Sequence, residues 1–201
     1  GAGDEIPKYL KQLEYDFQFL EDEKINLEEL KKYDVIITGV RAFNTRDILK
    51  YKMNDLMKYV EDGGRLIVQY NVSRGLVVDS LGPFSFKLSS NRITNENSKV
   101  TINKPEHILL NFPNKITEED FNSSQQNWIQ ERGLYFPVDC DSRYDLLFTM
   151  NDPDEAPLNT ALLFTKYGKG TYIYTSLSLF RQIPAGVSSA YKLLVNLIST
   201  K

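Results

Sequence analysis

The chain has 201 residues, with 24 Lys and Arg against 27 Asp and Glu and a formal net charge of -3. That balance gives no basic footprint for nucleic acid and no polybasic membrane signal, and no apolar run is long enough to span a bilayer. At this length roughly 70% of the unfolded surface can be buried, so a core needs neither metal nor disulfide; Cys140 stands alone and no internal disulfide can form.

The elements follow in chain order. Asp4 can cap a first helix that has Pro7 in its first turn and Ile6, Leu10 and Leu13 on one face. Tyr15, Phe17 and Phe19 alternate as in a strand, and Asn26 with Glu29 reads as a capping box. Residues 33–38 (YDVIIT) form a short apolar run, as expected of a strand buried on both faces. Asn44 or Thr45 can cap the next helix, whose inner face is Leu49, Met53, Leu56, Met57 and Val60, and Gly63-Gly64 stops it. Residues 65–70 (RLIVQY) are the next strand. A strand, helix and strand with short connections predict a βαβ unit in a parallel sheet.

Residues 71–135 are rich in Asn, Ser and Lys and hold Pro83, Pro105 and Pro113. They read as an elaborated β-rich insertion, with short strands over 84–88 and 99–102 and a small helix from Thr117 capped by Asp120. Residues 144–149 read as a strand, 161–166 and 171–175 as a hairpin, and 188–198 as a final helix. The whole predicts one flavodoxin-like, doubly wound α/β domain with a mostly parallel sheet.

Several kinds of chemistry have no support in the residues. No Ser or Cys carries the small neighbours of a nucleophile elbow. Cys140 lies between Asp139 and Asp141, whose charges blunt a thiol, and it reads as structural. His107 is the only histidine, so a His-rich metal site is impossible; a turn residue that bonds the backbone accounts for it better than a catalytic base. No P-loop or dinucleotide fingerprint occurs. No cofactor, metal or catalytic residue is assigned.

Ligands of open α/β sheets bind beyond the carboxyl ends of the strands. Arg41, Phe43 and Asn44 follow one strand, Gln69, Tyr70 and Asn71 a second, and Ser176, Phe180, Arg181 and Gln182 a third. If these strands point alike, amides, guanidinium groups and rings share one rim, a set that suits a polyhydroxyl ligand or a carboxylate. Alternatively, Arg41 and Arg181 pair with local carboxylates and hold loops. Trp128, Glu131 and Arg132 form a second candidate group; Glu131 could reach the rim, for instance at Arg41, or the segment could be a buried anchor.

The chain resembles the glutamine-amidotransferase-like domain found C-terminal to bacterial PIG-L-type deacetylases. The resemblance rests on GAGDEIP (1–7), YDVIITGVRAFN (33–44), YVEDGGRLIVQYN (59–71), NRITNE (91–96), residues 128–135 and YGKGTYIYTSLSLFRQIPAG (167–186). More distantly it is similar to ThuA-like proteins of trehalose utilisation, but Gln69-Tyr70-Asn71 stands where they carry a histidine. The resemblance implies a first β-strand ending just before Gly1, an upstream deacetylase domain as partner, a carbohydrate ligand, and a periplasmic or cell-surface location. Two functions follow: a non-catalytic accessory or sugar-binding domain, or a small sugar hydrolase or isomerase with Glu131 or His107 as base. A buried Glu131 without a cationic neighbour would favour the enzyme; a Glu131 locked onto an arginine would favour binding.

Overall fold

The computed structural model describes residues 4–123 and 128–199. The chain begins with α1 (Ile6–Gln12) and α2 (Leu27–Leu30) and continues through β1 (Val35–Thr38), α3 (Ala42–Thr45), α4 (Leu49–Glu61) and β2 (Arg65–Val68). Short pieces follow: β3 (Lys87–Leu88), β4 (Arg92–Ile93), β5 (Val100–Ile102), α5 (Glu119–Asn122), β6 (Gly133–Leu134), β7 (Pro137–Val138), β8 (Asp145–Leu146) and β9 (Phe148–Met150). The hairpin β10 (Leu162–Tyr167) and β11 (Gly170–Thr175), then α6 (Leu179–Gln182) and α7 (Ser188–Ser199), complete the described chain.

The central sheet has the order β1-β2-β11-β10-β8. β1, β2 and β11 are mutually parallel, and β10 is antiparallel to both its neighbours. Four of the five strands therefore run the same way, and three of them end at one rim. The sheet is flavodoxin-like and carries the expected β-rich insertion, whose small sheets pair β3 with β7, β4 with β6, and β5 with β9.

Side-chain alternation on the strands assigns the two faces. Ile67 and Ile173 face a cluster with Tyr9 and Leu10 of α1 and Leu193, Leu194 and Leu197 of α7; Trp128, Phe121 and Val100 from the insertion complete it. Leu66, Val68, Tyr172 and Tyr174 face the other way, against Leu56, Tyr59 and Val60 of α4 and Leu30 of α2. Helices on both faces explain why all four residues of β2 are buried.

Local expectations fare unevenly. Asn26 caps α2 by accepting from Glu29 N, and Thr117 N donates to Asp120 as expected. Tyr15, Phe17 and Phe19 form no strand: Tyr15 and Phe17 pack on the core, while Phe19 is 75% exposed, so the alternation reflects packing without a ladder partner. Neither Asn44 nor Thr45 caps α4. Both lie inside α3, and α4 begins at Leu49 with no side-chain cap. The predicted strand over 144–149 splits at Leu147, because the chain leaves β10 as β8 and joins β5 as β9. No helix among the described residues is long and apolar enough to cross a membrane.

Candidate functional site

The carboxyl ends of β1, β2 and β11 bring three loops together. The first turns sharply at Arg41, which adopts φ 56° and donates its backbone N–H to Tyr70 O at 2.9 Å. The third is met from the insertion by residues 130–135, where Gln130 (φ 63°) and Tyr135 (φ 53°) are also left-handed. Non-glycine residues in that region are strained, and such strain concentrates where a side chain must be aimed.

An aromatic stack occupies the centre. Tyr70 lies against Phe180 with ring centroids 5.0 Å apart and, nearly parallel, 6.4 Å from Tyr135. Arginines surround it: Arg92 stands 5.8 Å from the Tyr135 ring centroid and Arg181 5.0 Å from that of Phe180. Burial raises the Tyr70 phenol above its ordinary pKa; the charges of Arg41 and Arg181 pull it down, and Glu131 and Tyr135 push it up. Tyr70 is thus within electrostatic reach of all four. Glu131 is engaged, since Arg181 Nε donates to its Oε1 at 2.7 Å. Its partner is Arg181 and not Arg41, and Arg41 Nε is buried without an acceptor.

The amides at the same rim are consumed internally. Asn71 accepts from Phe43 N and donates to Gln69 O. Asn44 bridges Val72 and Arg74. Gln69 donates to Thr38 O and to Asp4, whose carboxylate also accepts from Val40 N. Gln182 both accepts from Ile129 N and donates to Ile129 O, and Ser176 is fully buried behind Tyr135 O.

Trp128 and Arg132 lie below the surface. The indole of Trp128 donates to Ser189 and packs on Phe121. Arg132 is 1% exposed; its guanidinium donates to Ser98 O and Phe121 O and is 5.7 Å from the Trp128 ring centroid. Burial lowers the Arg132 pKa to about 10, the carboxylate of Glu96 opposing that shift. The rim therefore gathers Arg41, Tyr70, Glu131, Phe180 and Arg181 from the expected residues, with Tyr135 closing the expected 128–135 segment, and adds Arg92. Arg92 lies in a polar stretch of sequence that gives no signal of its place in β4.

His107 sits elsewhere, near the far edge of the sheet. Its Nδ1 accepts from Leu109 N, its ring meets Phe164 edge-on, and burial lowers its pKa despite Asp145 nearby. Cys140 is half-buried, and burial followed by the charge of Asp139 pushes its thiol up to about 11. A concavity of about 720 Å³ lies at the opposite pole between Tyr33, Asp62, Gly63 and Lys169, away from the aromatic stack. Among the described residues no group of three or more His, Cys, Asp and Glu could hold a metal ion.

The sheet order, the flanking helices and the strand-end rim define a flavodoxin-like α/β fold. Comparison with solved structures finds the same fold in proteins of low sequence identity, one of them described as ThuA-like. A protein from Bacteroides uniformis described as ThuA-like superposes with a TM-score of 0.58 at 18% identity, over 96% of this chain and 80% of that one. A cytoplasmic protein of Salmonella typhimurium superposes at 0.62 and 14% identity, covering 96% and 84%. Another from strain LT2 superposes at 0.61 and 14%, covering 100% and 88%. At these identities the likeness establishes the fold alone. No protein-family model matches the chain, and no curated protein sequence does.

Proposed function

We propose that the chain is a non-catalytic binding domain that takes a carbohydrate at the rim built by Arg41, Tyr70, Glu131, Tyr135, Phe180 and Arg181. The observation that carries this reading is the Glu131–Arg181 bond at 2.7 Å. With its Oε1 taken up by the Arg181 guanidinium, Glu131 serves to position groups rather than to meet a substrate proton. Tyr135 and Phe180, backed by the buried Tyr70 ring, supply faces for a sugar ring, and the cations and phenols supply its hydrogen bonds. In this reading Asn44, Gln69, Asn71, Trp128, Arg132, Ser176 and Gln182 shape the rim from behind, and residues 1–201 work as one domain with 71–135 as its insertion.

Association with an upstream sugar N-deacetylase is the second part of the proposal, supported by the sequence resemblance. Such a domain would pack beside the deacetylase and present substrate to it. The Salmonella neighbours are cytoplasmic proteins by name, while the deacetylase architecture favours the periplasm or cell surface. Sequencing upstream of the coding region tests the association: an adjoining open reading frame with no deacetylase domain ends it. Titration calorimetry with glucose, glucosamine, N-acetylglucosamine and glucuronic acid tests binding. Heat signals that saturate are expected, and their loss in Tyr70→Ala with an unchanged fold by circular dichroism locates them. A protein silent toward all four sugars refutes the binding role.

A further inference from the structure

The side chains at the rim that still have hydrogen-bonding capacity narrow the ligand further. A neutral sugar is held mostly by planar amides, which donate to and accept from its hydroxyls, and by carboxylates, which accept from them. Here Asn44, Gln69, Asn71 and Gln182 are already bonded within the protein. Asp4 is taken up as well, by Val40 N, Gln69 and Ile6 N. What remains is cationic or phenolic: Arg41, Arg92, the outer nitrogens of Arg181, and the hydroxyls of Tyr70 and Tyr135.

The charges are unbalanced. Among the described residues Glu131 is the one carboxylate paired with any of these three arginines. Among the described residues neither Arg41 nor Arg92 forms an ion pair, and the buried Nε of Arg41 meets no acceptor. A guanidinium nitrogen withdrawn from water without an acceptor is costly, and an arriving carboxylate offsets that cost through two parallel N–H···O bonds. The strained backbone at Arg41 and Tyr135 holds the guanidinium and the ring in place before the ligand arrives, which reduces the ordering cost of binding.

We propose that the rim selects an acidic sugar, one whose ring lies on Tyr135 or Phe180 while its carboxylate meets Arg41 and Arg92. This rests on the binding function proposed above and specifies its ligand class. The test is titration of the full chain with glucuronic acid and with glucose, in low and in physiological salt. Glucuronic acid is expected to bind at least about tenfold more tightly than glucose, a step of about 1.4 kcal/mol. That advantage should shrink as ionic strength rises from about 0.01 M to about 0.15 M. Arg41→Met and, as an exposed substitution that leaves the core alone, Arg92→Met should each weaken glucuronic acid more than glucose and so remove most of the advantage. Equal affinity for the two sugars, or an advantage that survives both substitutions, overturns the acidic-sugar assignment and leaves carbohydrate binding standing. Failure to bind either sugar overturns both.

Discussion

Asp152 offers the sharpest test of how the rim is held. Its buried carboxylate accepts from Thr94 N (2.7 Å), Thr94 Oγ1 (2.7 Å), Asn95 N (3.0 Å) and Ser98 Oγ (2.6 Å). These bonds fix the loop that follows Arg92. Glu96 in that loop accepts from Gln130 N at 2.5 Å, and Ser98 O accepts from Arg132 Nε at 3.1 Å. Replacing Asp152 with Ala strips all four acceptors. The two hydroxyls can turn elsewhere, but the two backbone donors cannot. At about 1.5–3 kcal/mol for each bond to a charged group, the fixed loss is about 3–6 kcal/mol. For a chain of this size that corresponds to a fall in Tm of about 6–24 °C. Asp152→Asn keeps the shape but turns a donor toward donors, with an expected loss of about 2–3 kcal/mol. Burial alone would raise the Asp152 pKa, yet Ser98, Thr94 and Asn95 outweigh it and hold the carboxyl below its ordinary range. A depressed carboxyl pKa stabilises the fold above the unfolded value near 3.9, and that stability is lost as pH falls through the folded value. The gap between wild type and Asp152→Asn should therefore be full at neutral pH and narrow below about pH 4. Urea denaturation across that range measures it. A loss under about 1 kcal/mol at neutral pH, or a gap that does not change with pH, refutes the reasoning.

Other substitutions probe separate links. Asn71→Ala leaves Phe43 N and Gln69 O unpaired in the interior, so chemical denaturation should show a loss of about 2–4 kcal/mol; a loss under about 0.5 kcal/mol would mean that Asn71 is not a structural clasp. Glu131→Gln breaks an ion pair whose arginine side chain is 40% exposed, so its stability cost should stay below about 1 kcal/mol while glucuronic acid binds more tightly through the released Arg181. Weaker binding in that variant would place Glu131 on the ligand itself. Gly168→Ala puts a Cβ 2.4 Å from Glu61 O at a φ of +59°, and a thermal melt should fall by several degrees, reflecting at least about 2 kcal/mol. Cys140, its thiol near 11, should react with a disulfide reagent at pH 8 about a hundredfold more slowly than a free thiol; ordinary reactivity would contradict its burial.

The sheet was legible because its strands are apolar runs bounded by turn residues. VIIT, RLIV and the YGKG hairpin have few alternative conformations once α4 lies between the first two. The cap at Asn44 was misread because the local rule is sound but the side chain was already committed, across 28 residues, to Val72. Tyr15, Phe17 and Phe19 show the converse: a period of two is necessary for a strand but does not supply a neighbour. At the rim, topology placed Arg41, Tyr70 and Arg181 together from sequence alone. Which polar groups remained available could not be read, because Asn44, Gln69, Asn71 and Gln182 look alike as letters and differ only in the partners that packing delivers. Arg92 was invisible for the same reason, since its relation to Tyr135 exists only after β4 pairs with β6.

The place of β11 has a consequence for how the chain assembles. It lies between β2 and β10, and its first residue, Thr171, aligns with Arg65, more than a hundred positions earlier. Pairings across such separations are slow to close. During synthesis the strand-helix-strand half ending at Val68 is complete long before its inner neighbour exists, so one flank of RLIV waits with unsatisfied backbone groups. That interval is when a nascent chain is most prone to pair with another, and it is where a chaperone would be most useful.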